Sequence, residues 1–571
     1  MDDRLTHGHR RTRCTVFLAA GALLAAAALP SPATAAPAVA GVRWHQADQR
    51  SPLSGGFTGS KWGDALADAL SQDLYGKNQA QADPGSLYNV ERSIGARGLW
   101  GKKDVLQRNL TGQGVGVAVL DSGVAKVPGL DATGKVIAGP DLSIEENGVL
   151  AGQDTFGHGT FMAGIIAGRG ATNPSSDLPS APANVQLGVA PDATLLAMKL
   201  ATTDGSTDVS EVIAALDWVS QHPVLPDGTR IRVVNLSYGT YSTQGYQLDP
   251  LAAAAENAWK HGIVVVTSAG NAGAVGTLSD PAIDPYVLAV GATDSHEQVN
   301  WDAAHAVVAS FSNVGNAARH VDVVAPGTSI VSDRDPGSYI DVNNPQGRVL
   351  GDTSGRLFRG SGTSQAAAVV SGAVALLLQA FPTLTPDQVK YVLTSSAAKL
   401  TIGTTLQQGA GTIDLNKAYS VATALVKTDT NGATLRAAAV QSFAASTGQG
   451  SLDAARGGTT VVDATGLPLI GEVDVQGNPW VPSVWWRATS NLQAWDGGKW
   501  LGTTWTGAGW DTSGGLTSAR WTSARWTSAR WTSADWSSAR WTSCTWSSAR
   551  WTSSTWSSAR WTSASWLDHG W

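Results

Sequence analysis

Short apolar runs rich in β-branched residues alternate with helical stretches between residues 115 and 290 of this 571-residue chain. The apolar runs are Val115 to Leu120, Thr194 to Leu200, Arg232 to Leu236, Ile263 to Thr267 and Tyr286 to Val290. The helical stretches between them are Phe161 to Ala167, Val209 to Ser220 and Pro250 to His261. Such alternation predicts a mainly parallel sheet covered by helices on both faces, which is a three-layer α/β/α fold.

Three polar residues stand in short motifs, and the first of them lies where such a sheet would place an active site, at the carboxyl end of a strand. Asp121 directly follows the first run, and His158 lies in Gly157-His158-Gly159-Thr160 at the start of a helical stretch. Ser364 lies in Gly362-Thr363-Ser364 and opens a long run of small and apolar residues that reads as a buried helix. Asp, His and Ser are the side chains of nucleophilic acyl transfer, and their order along the chain separates the unrelated folds that use them.

Each of the three residues has a role that its chemistry can fill. Ser364 is the candidate nucleophile at a helix N-terminus, His158 the candidate general base, and Asp121 the acceptor that would orient the imidazole. The simpler interpretation of Ser364 is an N-cap, but the order Asp, His, Ser favours the nucleophile. A second Gly-Thr-Ser, at residues 327–329, leads into an extended run, so Ser329 lacks a helix and is the weaker candidate.

These segments, with Val117-Ala118-Val119-Leu120-Asp121-Ser122-Gly123, resemble the subtilisin-like (subtilase) serine protease family over residues 86–425. The resemblance implies a subtilisin-like three-layer α/β/α fold and a secreted serine endopeptidase that works through an acyl-enzyme. It also implies that Asn271 donates to the oxyanion. Ser237, Tyr238 and Gly239 would form one wall of the substrate pocket, and Ala269 and Gly270 the other. Small residues and no carboxylate in these walls favour a large apolar substrate side chain.

No cofactor and no metal site are predicted. The calcium-binding loop of the family precedes Gly188, where this chain reads Pro182-Ala183-Asn184-Val185-Gln186 and carries no carboxylate. Ca²⁺ takes about six to eight oxygen ligands, several of them charged. The net charge of −6 gives no basic field for nucleic acid, so protein or peptide substrates are the expected partners. The sequence leaves the oligomeric state open.

The N-terminus has the features of an export signal. Positive charge at residues 9–13 precedes an apolar run over 15–29, and Ala33-Thr34-Ala35 fits a cleavage site near Ala35. We therefore expect a signal peptide over 1–36, secretion, and a short pro-like segment over 37–85. Cys14 would be removed with the signal, which leaves Cys544 without a partner for an internal disulfide.

The C-terminal part divides into two further regions. Residues 426–494 are expected to be a linker followed by a small β-like segment. Over residues 495–571, Trp recurs every five residues from Trp495 to Trp510 and again from Trp521 to Trp571, in a repeat whose later copies read Trp-Thr-Ser-Ala-Arg or near variants. Thr, Ser and Trp favour extended structure over helix. Three interpretations stay open for this tail: a small β-solenoid or meander, an arm that contacts glycan or cell wall, or a sheath packed onto the protease.

Two other function classes compete with the endopeptidase. A serine esterase of the α/β-hydrolase type needs Gly-x-Ser-x-Gly with Ser before His, whereas Ser364 comes last and Ala366 stands at the final Gly position. The second is a non-catalytic binding protein that uses the Trp tail to contact a surface or cell wall. Intact residues at 121, 158, 271 and 364 favour the enzyme over both alternatives.

Overall fold

The computed structural model describes residues 75–143, 145, 150–170, 174–295, 298–299, 303–457 and 471–504, and the backbone of 524–525, 530–531, 537–540 and 557–560. The predicted signal peptide, both cysteines and all but the last residues of the predicted pro-like segment lie outside this part of the chain. The boundaries of 1–36, 37–85, 86–425, 426–494 and 495–571 stay predictions.

A mainly parallel sheet forms the centre of the fold. Its strands are β1 (Val115–Asp121), β2 (Val136–Asp141), β3 (Thr194–Lys199), β5 (Arg230–Leu236), β6 (Val264–Ser268), β7 (Leu288–Asp294), β8 (Val307–Val308) and β9 (Val323–Pro326), with β4 (Ser206–Thr207) lying outside it. The order across the sheet is β2-β3-β1-β5-β6-β7, and β9 pairs with β7 in parallel. Only β8 runs antiparallel to its neighbour among the described strands of this sheet.

Helices cover the sheet. They are α1 (Lys77–Ala82), α2 (Leu87–Ser93), α3 (Ala96–Trp100), α4 (His158–Ala167), α5 (Val209–Gln221), α6 (Pro250–Lys260), α7 (Tyr339–Asn343), α8 (Thr363–Ala380), α9 (Pro386–Ser396), α10 (Thr405–Gln408), α11 (Leu415–Leu425), α12 (Thr430–Ala438), α13 (Leu452–Ala455) and α14 (Pro482–Ser490). Short 3₁₀ turns occur at Leu178–Ser180 and Pro345–Gly347. Helices α4 and α8 pack together on the sheet, and so do α5 and α6. The predicted three-layer α/β/α fold with a mainly parallel sheet is confirmed.

Helix α8 is the central helix of the core. It is 18 residues long and apolar enough to cross a membrane, but every residue of it except Ala380 is buried in the protein. Val, Leu and Ala side chains all around its surface explain this placement, because a helix that is apolar on every side is stable only inside a core. Its N-terminus lies directly after β11 (Leu357–Ser361), which pairs antiparallel with β10 (Ile330–Asp333).

The region 426–494, predicted to be a linker followed by a small β-like segment, is partly helical. It contains α12, α13 and α14. Its side chains Leu452, Trp480 and Trp485 are buried in the core of the domain that is built on the central sheet, which we call the sheet domain. Residues 458–470, part of the predicted β-like segment, lie outside the described chain. The predicted linker part, residues 427–450, contains α12 and is mostly exposed, so the linker and the β-like segment stay predictions.

The start of the Trp repeat forms a small antiparallel sheet. Its strands are β12 (Trp495–Asp496), β13 (Lys499–Trp500) and β14 (Thr503–Thr504), and Trp495 and Trp500 are buried. Further along, the described backbone consists of β15 (Ala524–Arg525), β16 (Arg530–Trp531), β17 (Ser537–Arg540) and β18 (Ser557–Arg560). β15 pairs antiparallel with β4, β16 pairs antiparallel with β11, and β17 pairs parallel with β18.

Candidate active site

Asp121 is the last residue of β1, at the carboxyl end of the strand. β1 lies at the switch point of the sheet, with β3 and β2 on one side and β5, β6 and β7 on the other. Every residue of β1 is buried, as expected for a central strand covered on both faces. The Asp121 carboxylate is therefore enclosed, and its Oδ1 accepts a hydrogen bond from the amide of Ser122 at 2.8 Å.

His158 is the first residue of α4 and lies against Asp121. Its Nδ1 is 2.8 Å from Asp121 Oδ1 and 2.9 Å from Oδ2, and both side chains are completely buried. A carboxylate facing Nδ1 holds a proton on that nitrogen, which makes Nε2 the acceptor of the neutral ring. The pair therefore has the geometry of a carboxylate that orients an imidazole base.

Two glycines allow α4 to begin so close to β1. A Cβ on Gly159 would lie 2.0 Å from the carbonyl oxygen of Gly123, so no side chain fits between the helix and the end of the strand. Gly157 has φ 98°, in the left-handed region that glycine adopts without strain. The Gly-His-Gly segment is thus a packing requirement for the contact between His158 and Asp121.

Asp154 and Ser122 were missed by the sequence analysis and hold this contact in place. The Asp154 carboxylate accepts from the Gly157 and Thr160 amides at 2.7 and 2.8 Å, which caps the start of α4. It also accepts from Ser122 Oγ at 2.8 Å, and Ser122 Oγ accepts from the Gly159 amide at 2.9 Å. Burial raises the pKa of Asp154, against the lowering effect of these donors. The signal in the sequence was an Asp shortly before the predicted helix start.

Ser364 is the second residue of α8 and is buried at its N-terminal end. Its Oγ donates to the carbonyl of Ser237 at 3.3 Å, and Ser237 Oγ donates back to the carbonyl of Ser364 at 3.1 Å. Amides in the first turn of a helix have no partner within the helix and favour negative charge nearby. Ser329, the alternative nucleophile, instead directly precedes strand β10 and opens no helix.

Asn271 lies beside the first turn of α8. Its Oδ1 accepts from the Thr363 amide at 2.8 Å and from Thr363 Oγ1 at 2.9 Å. The Thr363 amide can only donate, so it must meet the oxygen of the Asn271 side chain. The Nδ2 end consequently points away from Thr363, as an oxyanion donor requires.

The structure brings the two predicted substrate walls together. Ser237, Tyr238 and Gly239 follow β5, and Ala269 and Gly270 follow β6, its parallel neighbour. The Tyr238 side chain is buried in the core, so of this residue only the backbone is available to a substrate.

Ser279 joins the two walls, although no signal in the sequence pointed to it. A Cβ on Gly239 would lie 2.6 Å from the Ser279 side chain, and the Ser279 amide donates to the carbonyl of Ala269 at 3.0 Å. Asp280, the next residue, exchanges backbone hydrogen bonds with Thr240. Burial first, then the carboxylates of Asp249 and Asp284, raise the pKa of Asp280 well above its usual range.

No group of three or more His, Cys, Asp or Glu residues within the described chain is arranged to hold a metal ion. Residues 182–186, where the calcium-binding loop of the family was considered, contribute a buried Ala183.

Comparison with known proteins identifies relatives of the sheet domain. A model of the subtilase family matches residues 112–414, which include all four candidate catalytic positions. Serine protease AprX of Bacillus subtilis (strain 168) is 35% identical over 298 residues, which cover 51% of this chain and 63% of AprX. Subtilisin Savinase of Lederbergia lenta is 33% identical over 311 residues, which cover 54% of this chain and 93% of Savinase.

A third relative, subtilisin NAT of Bacillus subtilis subsp. natto, is 35% identical over 314 residues, which cover 54% of this chain and 66% of that protein. The chain thus spans less than two thirds of the length of AprX and of subtilisin NAT. The family match ends at residue 414, before α12, α13, α14 and the Trp repeat.

Proposed function

Since this chain belongs to the subtilase family, we propose that it is a secreted serine endopeptidase that hydrolyses peptide bonds through an acyl-enzyme intermediate. The observation that carries the proposal is the buried hydrogen bond of 2.8 Å between His158 Nδ1 and Asp121, at the switch point of the sheet. Export is supported by the signal-like N-terminus of the sequence. No observation favours the esterase or the non-catalytic binding protein.

Acylation begins with Ser364. As its Oγ attacks the carbonyl carbon of the scissile bond, its proton passes to Nε2 of His158, and Asp121 stabilises the imidazolium through Nδ1–H. The carbonyl oxygen becomes an oxyanion, which Asn271 Nδ2 and the Ser364 amide stabilise by donating hydrogen bonds. His158 then returns the proton to the amine nitrogen, the C–N bond breaks, and the amine leaves.

Deacylation repeats these steps with water. His158 takes a proton from a water molecule as its oxygen attacks the acyl carbon, and the second oxyanion uses the same donors. Collapse of this intermediate breaks the ester bond, and the proton returns to Ser364 Oγ. We propose that substrate side chains next to the cleaved bond lie between Ser237–Gly239 and Ala269–Gly270. The small residues of these walls, which carry no carboxylate, favour large apolar groups over Lys or Arg.

A fluorophosphonate probe tests the nucleophile. It phosphonylates an activated serine oxygen with loss of fluoride, so the wild-type protein should be labelled and should cleave peptide substrates. We expect the Ser364→Ala variant to lose both properties, because Ser364 is the hydroxyl that His158 would activate. The Ser329→Ala variant is the matched control and should keep both. Labelling of Ser364→Ala, or equal loss in both variants, would contradict the assignment.

A further inference from the structure

Helix α13 and the residues beside it, 451–456, form a contact point between two distant parts of the sheet domain. This segment lies beyond residue 414, where the family match ends. It nevertheless packs on the core through Leu452 and Ala455, which are completely buried. We refer to residues 451–456 as the bridging segment.

One side of the bridging segment holds the chain that follows the predicted substrate wall. Thr240 comes directly after Gly239, and its Oγ1 donates to the carbonyl of Ala455 at 2.6 Å. The Thr243 amide donates to the carbonyl of Ala454 at 3.0 Å. Gln244 exchanges two hydrogen bonds with the backbone of Ser451, at 2.7 and 3.0 Å. The loop after the substrate wall is thus fixed at several points by one short segment.

The other side of the bridging segment holds the end of β4 through an ion pair. Arg456 Nε and one terminal nitrogen donate to the two oxygens of Asp208 at 2.8 and 2.9 Å, and both side chains are completely buried. Asp208 directly follows β4 and caps α5 by accepting from the Ser210 amide. A bidentate Arg–carboxylate contact fixes both distance and orientation, so it determines where β4 ends.

The edge of β4 lies close to the candidate catalytic residues. Gly205 precedes β4, and a Cβ there would lie 2.7 Å from the ring of Phe156. The Phe156 ring in turn lies 6.4 Å, centre to centre, from the imidazole of His158. The same edge already receives an extended chain in this structure, because β15 pairs with it antiparallel. Main-chain pairing with an exposed strand edge is a general way of binding extended peptides.

We propose that Arg456 is a positioning residue for substrate binding: through Asp208 and Thr240 the bridging segment sets the distance between the β4 edge and the predicted substrate wall. This proposal rests on the endopeptidase function proposed above. The chain beyond the family domain would thus help to shape the substrate cleft without contacting the substrate. Arg456 should then affect the binding of extended peptides more than that of small substrates.

The Arg456→Met variant tests this by comparing two substrates. We expect KM for an eight-residue peptide to rise about tenfold, because a displaced β4 edge weakens the binding of substrates that are long enough to reach it. For an acetylated amino-acid ester, which occupies only the region next to Ser364, kcat/KM should stay within about twofold of wild type. The Arg456→Lys variant keeps the charge but loses the bidentate contact, so its KM should lie between those of wild type and Arg456→Met.

The matched control is Arg97→Met, which breaks a partly buried Arg–Glu91 ion pair of 2.9 Å between α2 and α3. It should leave KM for both substrates unchanged.

If Arg456→Met does not fold, Thr240→Val removes only the hydrogen bond to Ala455 and should raise KM for the peptide alone. Equal losses on peptide and ester, or the same KM change in Arg97→Met, would overturn the proposal. A wild-type protein that the fluorophosphonate does not label would instead refute the endopeptidase itself.

Discussion

Asp154 connects the start of α4 with the end of β1, beside His158. Its carboxylate accepts from the start of α4 and from Ser122, which adjoins Asp121 at the end of β1. Asp335, whose pKa burial and the charge of Asp154 raise to about 8, comes from the loop before α7. One enclosed carboxylate therefore determines both where α4 begins and how far it lies from β1.

The Asp154→Ala variant should lower kcat by about 10²-fold, because it leaves the cap donors of α4 without their acceptor and allows the imidazole to move. Asp154→Asn retains one acceptor oxygen and should recover part of this loss. Steady-state kinetics, with active enzyme counted by fluorophosphonate labelling, measure the effect. Asp414→Ala removes the cap of α11, away from the site, and should leave kcat unchanged. An unchanged kcat in Asp154→Ala would show that Asp121 alone positions His158.

At the scale of single residues, the sequence identified mainly the candidate site residues that lie in short motifs. Asp121, His158 and Ser364 stand beside glycines and helix starts, which a sequence displays directly, and their catalytic roles stay predictions. Ser122, Asp154 and Ser279 could not be found in the same way. Their partners are set by the fold, as with the hydrogen bond between Ser122 and Asp154, 32 positions apart.

Secondary-structure elements of the sheet domain follow local patterns closely. The run Val115 to Leu120 became β1, Val115–Asp121, and the stretch Val209 to Ser220 became α5, Val209–Gln221. The later strand was shifted: Tyr286 to Val290 was expected, and β7 is Leu288–Asp294. A continuous apolar run predicts a buried strand, whereas the polar end of β7, Thr293 and Asp294, is placed in the sheet by pairing with β8.

The C-terminal elements depend instead on long-range polar contacts. Asp217 in α5 accepts from Trp485 Nε1 at 3.0 Å, from Trp500 Nε1 at 2.9 Å and from Thr489 Oγ1. These donors lie more than 260 positions away in sequence, so no local pattern could predict that α14 and β13 pack here. Part of the region 426–494 is thus held on the sheet domain through Asp217, which accepts from both Trp485 and Thr489.

Asp217 should also make stability depend on pH. Burial raises its pKa to about 6, although the hydrogen bonds from Thr489, Trp500 and Trp485 oppose the shift. An unfolded Asp has a pKa of about 3.9, so between these values the folded protein binds more protons, and its stability falls as pH rises through the window. The contribution of Asp217 to stability is greatest below pH ~4, decreases up to pH ~6 and is constant above.

Urea unfolding at pH 4.5 and pH 7 measures this contribution. The free energy of unfolding of Asp217→Asn should fall less between the two pH values than that of the parent, by at most about 3 kcal/mol. Both proteins should carry Ser364→Ala to prevent self-digestion. Asp474, whose pKa burial raises to about 6, titrates in the same window and is unchanged in both proteins, so it cancels in the comparison. Equal pH dependence with and without Asp217 would contradict the assignment.

At the scale of the whole molecule, two short strands of the Trp repeat pair with strands of the sheet domain near the candidate active site. β15 pairs with β4, and β16 pairs with β11, whose last residue, Ser361, stands three positions before Ser364. Only residues 526–529 separate β15 from β16. A chain extends by at most about 3.6 Å per residue, so both pairings lie within roughly 20 Å along the tail. Of the three interpretations of the tail, these pairings favour the sheath; contact with glycan or cell wall stays a prediction.

A tail segment paired with both β4 and β11 should compete with substrate, because a tethered segment acts at high effective concentration. A protein truncated after Thr504 keeps the buried Trp495 and Trp500 and should cleave casein with a higher kcat/KM than the full chain. A peptide with the sequence of residues 521–535 should inhibit the truncated protein. Truncation after Val440 serves as the contrast: it removes Arg456, Trp485 and Trp500 from the core, so loss of folded protein is expected. If the protein truncated after Thr504 is folded but no more active, and the peptide does not inhibit it, the tail does not occupy the cleft in solution.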